Sequence, residues 1–117
     1  MAVTIKRIYA PVAKSDGFRI LVDRLWPRGV SRQKAHLDLW LKEIAPSDAL
    51  RKWFGHEPER WPEFERRYRK ELRGKPELVR QIRQLQKEHG KVTLLFSARD
   101  EERNQAVALR DFLQGRR

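Results

Sequence analysis

The sequence predicts an α/β fold: a single small domain, residues 1–117, with a short, mostly parallel or mixed sheet covered by about four helices. Three observations support this prediction. A chain of 117 residues has the ordinary size of one domain. Hydrophobic residues make up 39% of it, enough for a core despite 37% charged residues. β-rich runs and amphipathic segments follow one another in the order β-β-(β)-α-α-α-β-α, which favours helices packed on a sheet.

Three runs are predicted to be strands. Residues 4–10 alternate weakly between apolar and polar side chains, and residues 18–24 contain the continuous apolar run "ILV", as in a strand buried on both faces. Residues 91–98, "KVTLLFSA", give the strongest strand pattern, bounded by Gly90 and Asp100. A turn is predicted between the first two strands, at "KSDG".

Residues 37–44, "LDLWLKEI", fit two structures. Leu37, Leu39 and Leu41 alternate as in a strand, while apolar residues also recur at the i, i+3, i+4 and i+7 positions of a helix. We expect a short strand, because Pro46 closes the segment and a helix begins directly after it.

Four helices are predicted from their end signals. Ser47 caps a short helix that Gly55 ends, and Pro58 begins the next. A third helix follows the break at "GKP" and ends at Gly90, and the last covers roughly residues 101–113. The helix that begins at Pro58 carries one apolar stripe at helical spacing. Its arginines lie on a solvated face or form a surface that contacts phosphates.

Composition excludes several classes of site. The chain has no cysteine, so disulfides, thiolate catalysis and Cys-ligated metal centres are ruled out. No apolar run approaches the roughly 18 residues of a membrane span, and the N-terminus lacks a signal-peptide core. We therefore expect a cytoplasmic protein without a membrane partner.

The charge is strongly positive and unevenly distributed. The net charge is +11 and the isoelectric point about 10.7, which is typical of proteins that bind nucleic acid. Residues 1–36 hold eight basic residues against two acidic ones, a net of +6. The excess of arginine over lysine fits phosphate recognition, but a GC-rich genome gives the same bias.

Four segments carry a resemblance to a known family: "DGFRILVDRLWPRGVS", "LDLWLKEIAPS", "LRKWFGH" and "VTLLFSARDEERNQAVALRDFL". In this order they resemble the YeaO-like branch of domain-of-unknown-function family 488. The resemblance implies a small bacterial α/β domain and no particular activity. It also leads us to expect an asparagine–histidine pair at the start of the last helix, where this chain has Asn104 followed by Gln105.

The segment "DRLWPRG" is the first candidate site, because ligands of parallel sheets lie beyond the carboxyl ends of strands. If it is extended, Arg24, Trp26 and Arg28 share one face. Two guanidiniums beside an indole suit a phosphate attached to a base. The alternative is a structural turn in which Asp23 pairs with an arginine and Trp26 covers the core.

The segment "SARDEERN" is the second, at the end of the last predicted strand. Ser97 and Arg99 are candidate anion ligands near a helix start. Asp100 is a candidate ligand-binding residue, a base or a magnesium ligand with Asp23; its alternative role is to cap the helix.

The segment "RKWFGH" contributes the third candidate. His56 has an ordinary pKa of about 6.5, which suits proton transfer near neutral pH, and Trp53 is a candidate stacking residue. The alternatives are a histidine that stabilises a helix end and a tryptophan in the core.

These candidates predict a domain that binds a nucleotide or nucleic acid through Arg24, Trp26, Arg28, Trp53, Ser97, Arg99 and Asp100. The alternatives are an enzyme with His56 and Asp23 as acid and base, and a protein-interaction module with exposed Trp40 or Trp61. No cofactor and no metal are predicted, because glycine-rich phosphate loops and ligand-like histidine spacing are absent from the sequence. Whether the chain is an enzyme stays open.

Overall fold

A computed structural model describes residues 2–115, which form a four-stranded parallel sheet flanked by helices. The strands, in chain order, are β1 (Ala2–Arg7), β2 (Phe18–Leu21), β3 (Leu39–Trp40) and β4 (Lys91–Phe96). Their spatial order is β1-β4-β2-β3. All pairs are parallel, with Arg7 beside Phe96 and Leu21 beside Leu95. The α/β prediction is confirmed, and the sheet is parallel throughout.

The helices of the described chain are α1 (Arg32–Ala35), α2 (Asp48–Phe54), α3 (Trp61–Arg73), α4 (Pro76–His89) and α5 (Gln105–Leu113). Short 3₁₀ turns occupy Lys14–Asp16, Lys42–Ile44 and Pro58–Arg60. The single-turn α1 was not predicted. Its signal was Ser31, whose hydroxyl accepts the Lys34 N–H and caps the turn.

Residues 37–44, for which a strand and a helix were the two alternatives, contain a short strand followed by a helical turn. Leu39 and Trp40 pair with β2 as a two-residue strand. Directly after them, residues 42–44 make a 3₁₀ turn that buries Ile44. The expected short strand is therefore present, and the helical spacing reflects the turn that follows it.

The last helix begins later than predicted. α5 starts at Gln105, and its cap is Asn104, whose side-chain oxygen accepts the Val107 N–H at 3.0 Å. The expectation that Asp100 caps this helix is wrong. The Asp100 carboxylate instead accepts the N–H groups of Glu102 and Arg103 and closes a separate turn before the helix.

The main core lies between one face of the sheet and helices α3, α4 and α5. Inward residues of β2 and β4 such as Ile20 and Leu94 are fully buried there against Leu72 and Ile82. Tyr68 is also fully buried, and its hydroxyl donates to the Ile44 carbonyl at 2.7 Å. This bond satisfies the one polar group that α3 brings into the core.

The other face of the sheet is covered by irregular chain. Ile8, Leu21, Ala35 and Leu95 form a smaller cluster, with Trp26 and other half-buried side chains packed against it. Among residues 2–115 no long helix covers this face. Loops cover it instead, and side-chain hydrogen bonds to the loop backbone fix these loops in place.

All four strands end at the same edge of the sheet because they are parallel. Asp23 follows β2 there and Ser97 follows β4, so the polar ends of two neighbouring strands meet. α2 begins just beyond β3 at the same edge. This edge carries the candidate site.

Candidate ligand-binding site at the carboxyl edge of the sheet

A cleft of about 480 Å³ opens at this edge. Most of its lining comes from three segments: the turn after β2, the second half of α2 and the residues that follow it, and the chain from the end of β4 to the start of α5. Tyr9, Ala45, Pro46 and Phe64 complete the lining. The lining includes Asp23, Arg24, Trp26, Arg28, Arg51, Lys52, Phe54, His56, Ser97 and Gln105. Most of the residues singled out in the sequence therefore lie together. We call this the carboxyl-edge cleft.

Asp23 lies in the floor of the cleft and is only 7% exposed. One carboxylate oxygen accepts the Ser97 N–H at 3.0 Å, and the other accepts the side-chain amide of Gln105. Burial raises the pKa of Asp23, and the hydrogen bonds from Ser97 and Gln105 oppose that rise only in part. The alternative interpretation, in which Asp23 pairs with an arginine, is wrong: among the described residues its partners are neutral donors.

Cations surround this carboxylate without contacting it. Arg28 and Lys52 are exposed at the rim, and within residues 2–115 neither has an acidic side chain at ion-pair distance. Arg51 contacts the exposed Asp48 at 3.4 Å, which is a weak pairing on a solvated surface. The rim therefore offers positive charge that the protein itself does not use.

Arg24 differs from these residues. Its guanidinium donates to the carbonyls of Ala45 and Pro46, each at 3.1 Å, and so ties the turn after β2 to the chain that enters α2. The segment is not extended as expected, because β2 ends at Leu21 and bends follow. Arg24, Trp26 and Arg28 nevertheless all face the cleft.

The two candidate tryptophans lie in different places. Trp26 lines the cleft, and its indole N–H donates to the Val30 carbonyl at 2.7 Å, which fixes the ring over the turn. Trp53 does not line the cleft. Its ring lies beneath the guanidiniums of Arg60 and Arg67, at 5.3 and 4.3 Å, so α2 presents it to a cation–π cluster outside the site.

A second hollow of about 470 Å³ adjoins the cleft. Arg99 and Asp100 line it, and His56, Ser97 and Ala98 line both spaces. Arg28 and Arg99 thus face adjacent hollows rather than one common cavity. His56 stands at the junction in the left-handed conformation, with φ of 58°, which is uncommon for a residue other than glycine.

The site carries no metal-binding cluster. Among residues 2–115, no group of three histidine or acidic side chains lies close enough to hold a metal ion. Asp23 and Asp100 line different hollows, so the geometry gives no support to a shared magnesium ion.

Sequence reasoning missed Tyr9, Arg51, Lys52 and Gln105 as cleft residues. Tyr9 reaches the site because its hydroxyl donates to the Arg28 carbonyl. Arg51 and Lys52 follow from the helix that the Ser47 cap predicts, but only the packing of α2 decides which of its faces points to the cleft. For Gln105 a signal existed, since it stands where the family resemblance leads us to expect a histidine.

Comparison with known proteins decides the family. The model of the family described as "Inactive DUF488-N3 subclade" matches residues 2–117. This chain belongs to the DUF488 family. The YeaO protein of Escherichia coli is 41% identical to this DUF488 chain over 114 residues, covering 97% of this chain and 98% of the relative.

A second group of relatives comes from mycobacteria. An uncharacterised Mycobacterium tuberculosis protein is 38% identical over 116 residues, covering 97% of this DUF488 chain and 95% of the relative. No solved structure matches the chain. No helix in residues 2–115 is long and apolar enough to cross a membrane.

Proposed function

We propose that this protein binds a phosphate-bearing ligand, a nucleotide or nucleic acid, in the carboxyl-edge cleft. One observation carries the proposal: Arg28 and Lys52 converge on the rim of a concave site while having no acidic partner among the described residues. Guanidinium and ammonium groups placed in this way form charge-assisted hydrogen bonds with phosphate oxygens. The net charge of +11 adds long-range attraction for such a ligand.

The floor of the cleft gives the ligand an orientation. The Asp23 carboxylate repels a phosphate, so the phosphate belongs at the cationic rim. The half-buried Trp26 borders the space beside Asp23, and its indole suits the flat, apolar face of a base. Phe54, only 6% exposed and stacked on Phe64, forms the wall of this space. A ligand with a phosphate at one end and a base at the other satisfies both parts of the cleft.

The enzyme hypothesis has less support. Both oxygens of Asp23 already accept hydrogen bonds, one of them from Gln105, an amide that does not titrate. His56 is exposed and forms no hydrogen bond with an acid in the described chain. The family description includes the word "inactive", which gives no support to an enzymatic role.

The interaction-module hypothesis also loses support. It required exposed indoles, but Trp40 and Trp61 are both half-buried. Trp40 donates to the Asp23 carbonyl at 2.8 Å, and Trp61 packs on Phe54 and Phe64. Both side chains are committed to the fold.

An NMR and calorimetric titration with adenosine monophosphate tests the proposal. We expect saturable shifts at the amides of residues 23–28, 51–56 and 97–105. Arg28→Ala should weaken binding about tenfold, the size expected for one charge-assisted contact. Arg80→Ala is the matched control, because Arg80 is exposed on α4 and lines neither hollow. Absence of saturable binding, or equal affinity of the two variants, would contradict the proposal.

A further inference from the structure

We infer that the ligand is a single-stranded nucleic acid that extends across the carboxyl-edge cleft and the adjoining hollow, rather than a mononucleotide held in the cleft alone. This inference rests on the proposed function and names the ligand class of the same site. It depends on three features: the lining residues that the two adjoining spaces share, the free charge in the second, and the exposed junction between them.

The two spaces adjoin each other, and we call the pair the groove. They measure about 480 and 470 Å³ and share His56, Ser97 and Ala98 as lining residues. Each alone is in the range of about 300–1,000 Å³ that suits one small ligand. A mononucleotide that occupies the cleft would leave the second hollow empty, whereas a chain of two or more nucleotides occupies both.

The second hollow has its own free cation. Arg99 is exposed and has no acidic partner at ion-pair distance within residues 2–115. The neighbouring carboxylate of Asp100 is occupied by the N–H groups of Glu102 and Arg103 and by the Arg103 guanidinium at 3.4 Å. These contacts offset the charge of Asp100. The exposed Glu101 and Glu102, which the sequence also places here as acids that would repel a phosphate, do not line the hollow, so Arg99 is left to contact a second phosphate.

The junction between the hollows suits a backbone that passes over it. His56 lines both spaces and is exposed. It directly follows Gly55, the residue that ends α2, and its backbone is left-handed. The nitrogens of an imidazole form hydrogen bonds with phosphate or ribose oxygens. Lys52 lines the first space, Arg99 lines the second and the His56 imidazole lies between them, an order that suits the backbone of a single strand.

A single strand fits the groove better than a duplex. The cleft brings the exposed Tyr9 and the half-buried Trp26 beside the rim cations, and such aromatic contacts require bases with an exposed face. A duplex stacks its bases within the helix and is read through its grooves by an inserted helix or strand. The described chain presents no such projecting element at the carboxyl edge.

A length series tests the inference on the full-length protein. Adenosine monophosphate, a 5′-phosphorylated adenosine tetranucleotide and a longer single strand, alone or hybridised to its complement, are titrated at several salt concentrations. We expect the tetranucleotide to bind at least tenfold tighter than the monophosphate. We also expect its salt dependence to steepen, by about 0.7 in the logarithmic slope for each added phosphate contact. The unpaired longer strand should bind tighter than its duplex.

Three variants separate this inference from the proposed function. Arg99→Ala should weaken tetranucleotide binding about five- to tenfold and monophosphate binding less than twofold. Arg28→Ala should weaken both, and Arg80→Ala neither. If Arg28→Ala acts on the monophosphate but Arg99→Ala leaves the tetranucleotide unaffected, or if the duplex binds tighter, the inference is wrong and the proposed function stands. If neither probe binds saturably, both are wrong.

Discussion

Two buried aspartates with opposite surroundings distinguish the two sides of this molecule. Asp16 is 6% exposed and lies on the loop-covered face of the sheet, while Asp23 is 7% exposed and lies in the floor of the carboxyl-edge cleft. Burial carries a desolvation cost that acts to raise the pKa of both carboxylates. The partners that offset this cost are charged in one case and neutral in the other.

Asp16 is held by cations. Lys6 contacts it at 3.0 Å, Arg19 at 2.6 Å, and the Ala13 N–H donates at 3.0 Å. Burial alone would raise its pKa, but the hydrogen bonds from Ala13, Lys6 and Arg19 lower the pKa of Asp16 overall. Arg19 also donates to the carbonyls of Ala35, the last residue of α1, and of His36 directly after it, so this cluster fastens α1 and the neighbouring loops to the sheet.

Asp23 lies among cations that do not pair with it, and its pKa is raised. Acidic and basic side chains pair on the loop-covered face of the sheet, and they remain unpaired where the cleft opens. Unpaired charge next to a concave surface is the arrangement expected of a binding site.

The largest expected effect comes from Asp16→Asn. Because this change leaves Arg19 buried without its ionic partner, we expect the free energy of unfolding at pH 7 to fall by about 3 kcal/mol or more. Urea denaturation measures it. The control Asp48→Asn removes an acid that is 63% exposed and should change stability by less than about 0.5 kcal/mol.

The pH dependence sharpens the same test. A lowered folded-state pKa means that Asp16 stabilises the fold above its unfolded pKa of about 3.9 and that this contribution is lost as the pH falls through the folded value. The difference between wild type and Asp16→Asn should therefore shrink below about pH 3.9. A difference independent of pH would show that the charge of Asp16 is not what stabilises the loops.

Gln105→Leu should have the next largest effect, with a pH dependence set by a raised rather than a lowered pKa. It removes a donor from the buried Asp23 carboxylate, at an expected cost of about 1–3 kcal/mol at pH 7. A raised folded-state pKa means that the contribution of Asp23 to stability is fully present below its unfolded pKa. This contribution is lost as the pH rises through the folded-state pKa. The cost of Gln105→Leu should thus grow between pH 4 and pH 7.

The control for this variant is Gln84→Leu on α4, where the amide contacts only the exposed Glu88 at 3.0 Å. It should leave stability nearly unchanged across the pH range. A cost of Gln105→Leu that falls as the pH rises would contradict the assignment of Asp23 as a carboxylate destabilised by burial.

Two cleft arginines give the smallest and most selective effect. Arg24→Ala removes two hydrogen bonds to backbone carbonyls and should lower stability by about 1–2 kcal/mol. Arg28→Ala removes an exposed guanidinium without a partner and should change stability by less than about 0.5 kcal/mol. Thermal and chemical denaturation measure the stability of both variants. Equal losses of stability would contradict the assignment of Arg24 as a structural cation and of Arg28 as a free one.

Most of the fold was predictable because local signals agreed with it. Ser47, Gly55, Pro76 and Gly90 mark helix ends where the structure has them, and the run "KVTLLF" is β4. The start of α5 was misplaced because Asp100 and Asn104 are both good caps and only packing decides between them.

The site was predictable to the level of the sheet edge. Polar residues directly after β2 and β4 must meet when the strands are parallel neighbours, and Asp23 and Ser97 do meet, at 3.0 Å. The sequence could not show that Trp53 points away from the cleft and Lys52 into it, because a one-residue step along a helix turns the side chain by about 100°. The separation of Arg28 from Arg99 likewise depends on the path of the chain before α5.

The affinity of a charge-matched pair of double variants for adenosine monophosphate tests the central claim most directly. Arg28→Ala with Lys52→Ala removes two free cations from the cleft, while Arg80→Ala with Lys87→Ala removes two exposed cations from α4, which lines neither hollow. We predict that the first pair weakens binding at least about 30-fold and the second less than twofold, at equal net charge and stability. Equal weakening by both pairs would show that binding follows net charge alone and that the carboxyl-edge cleft is not the binding site.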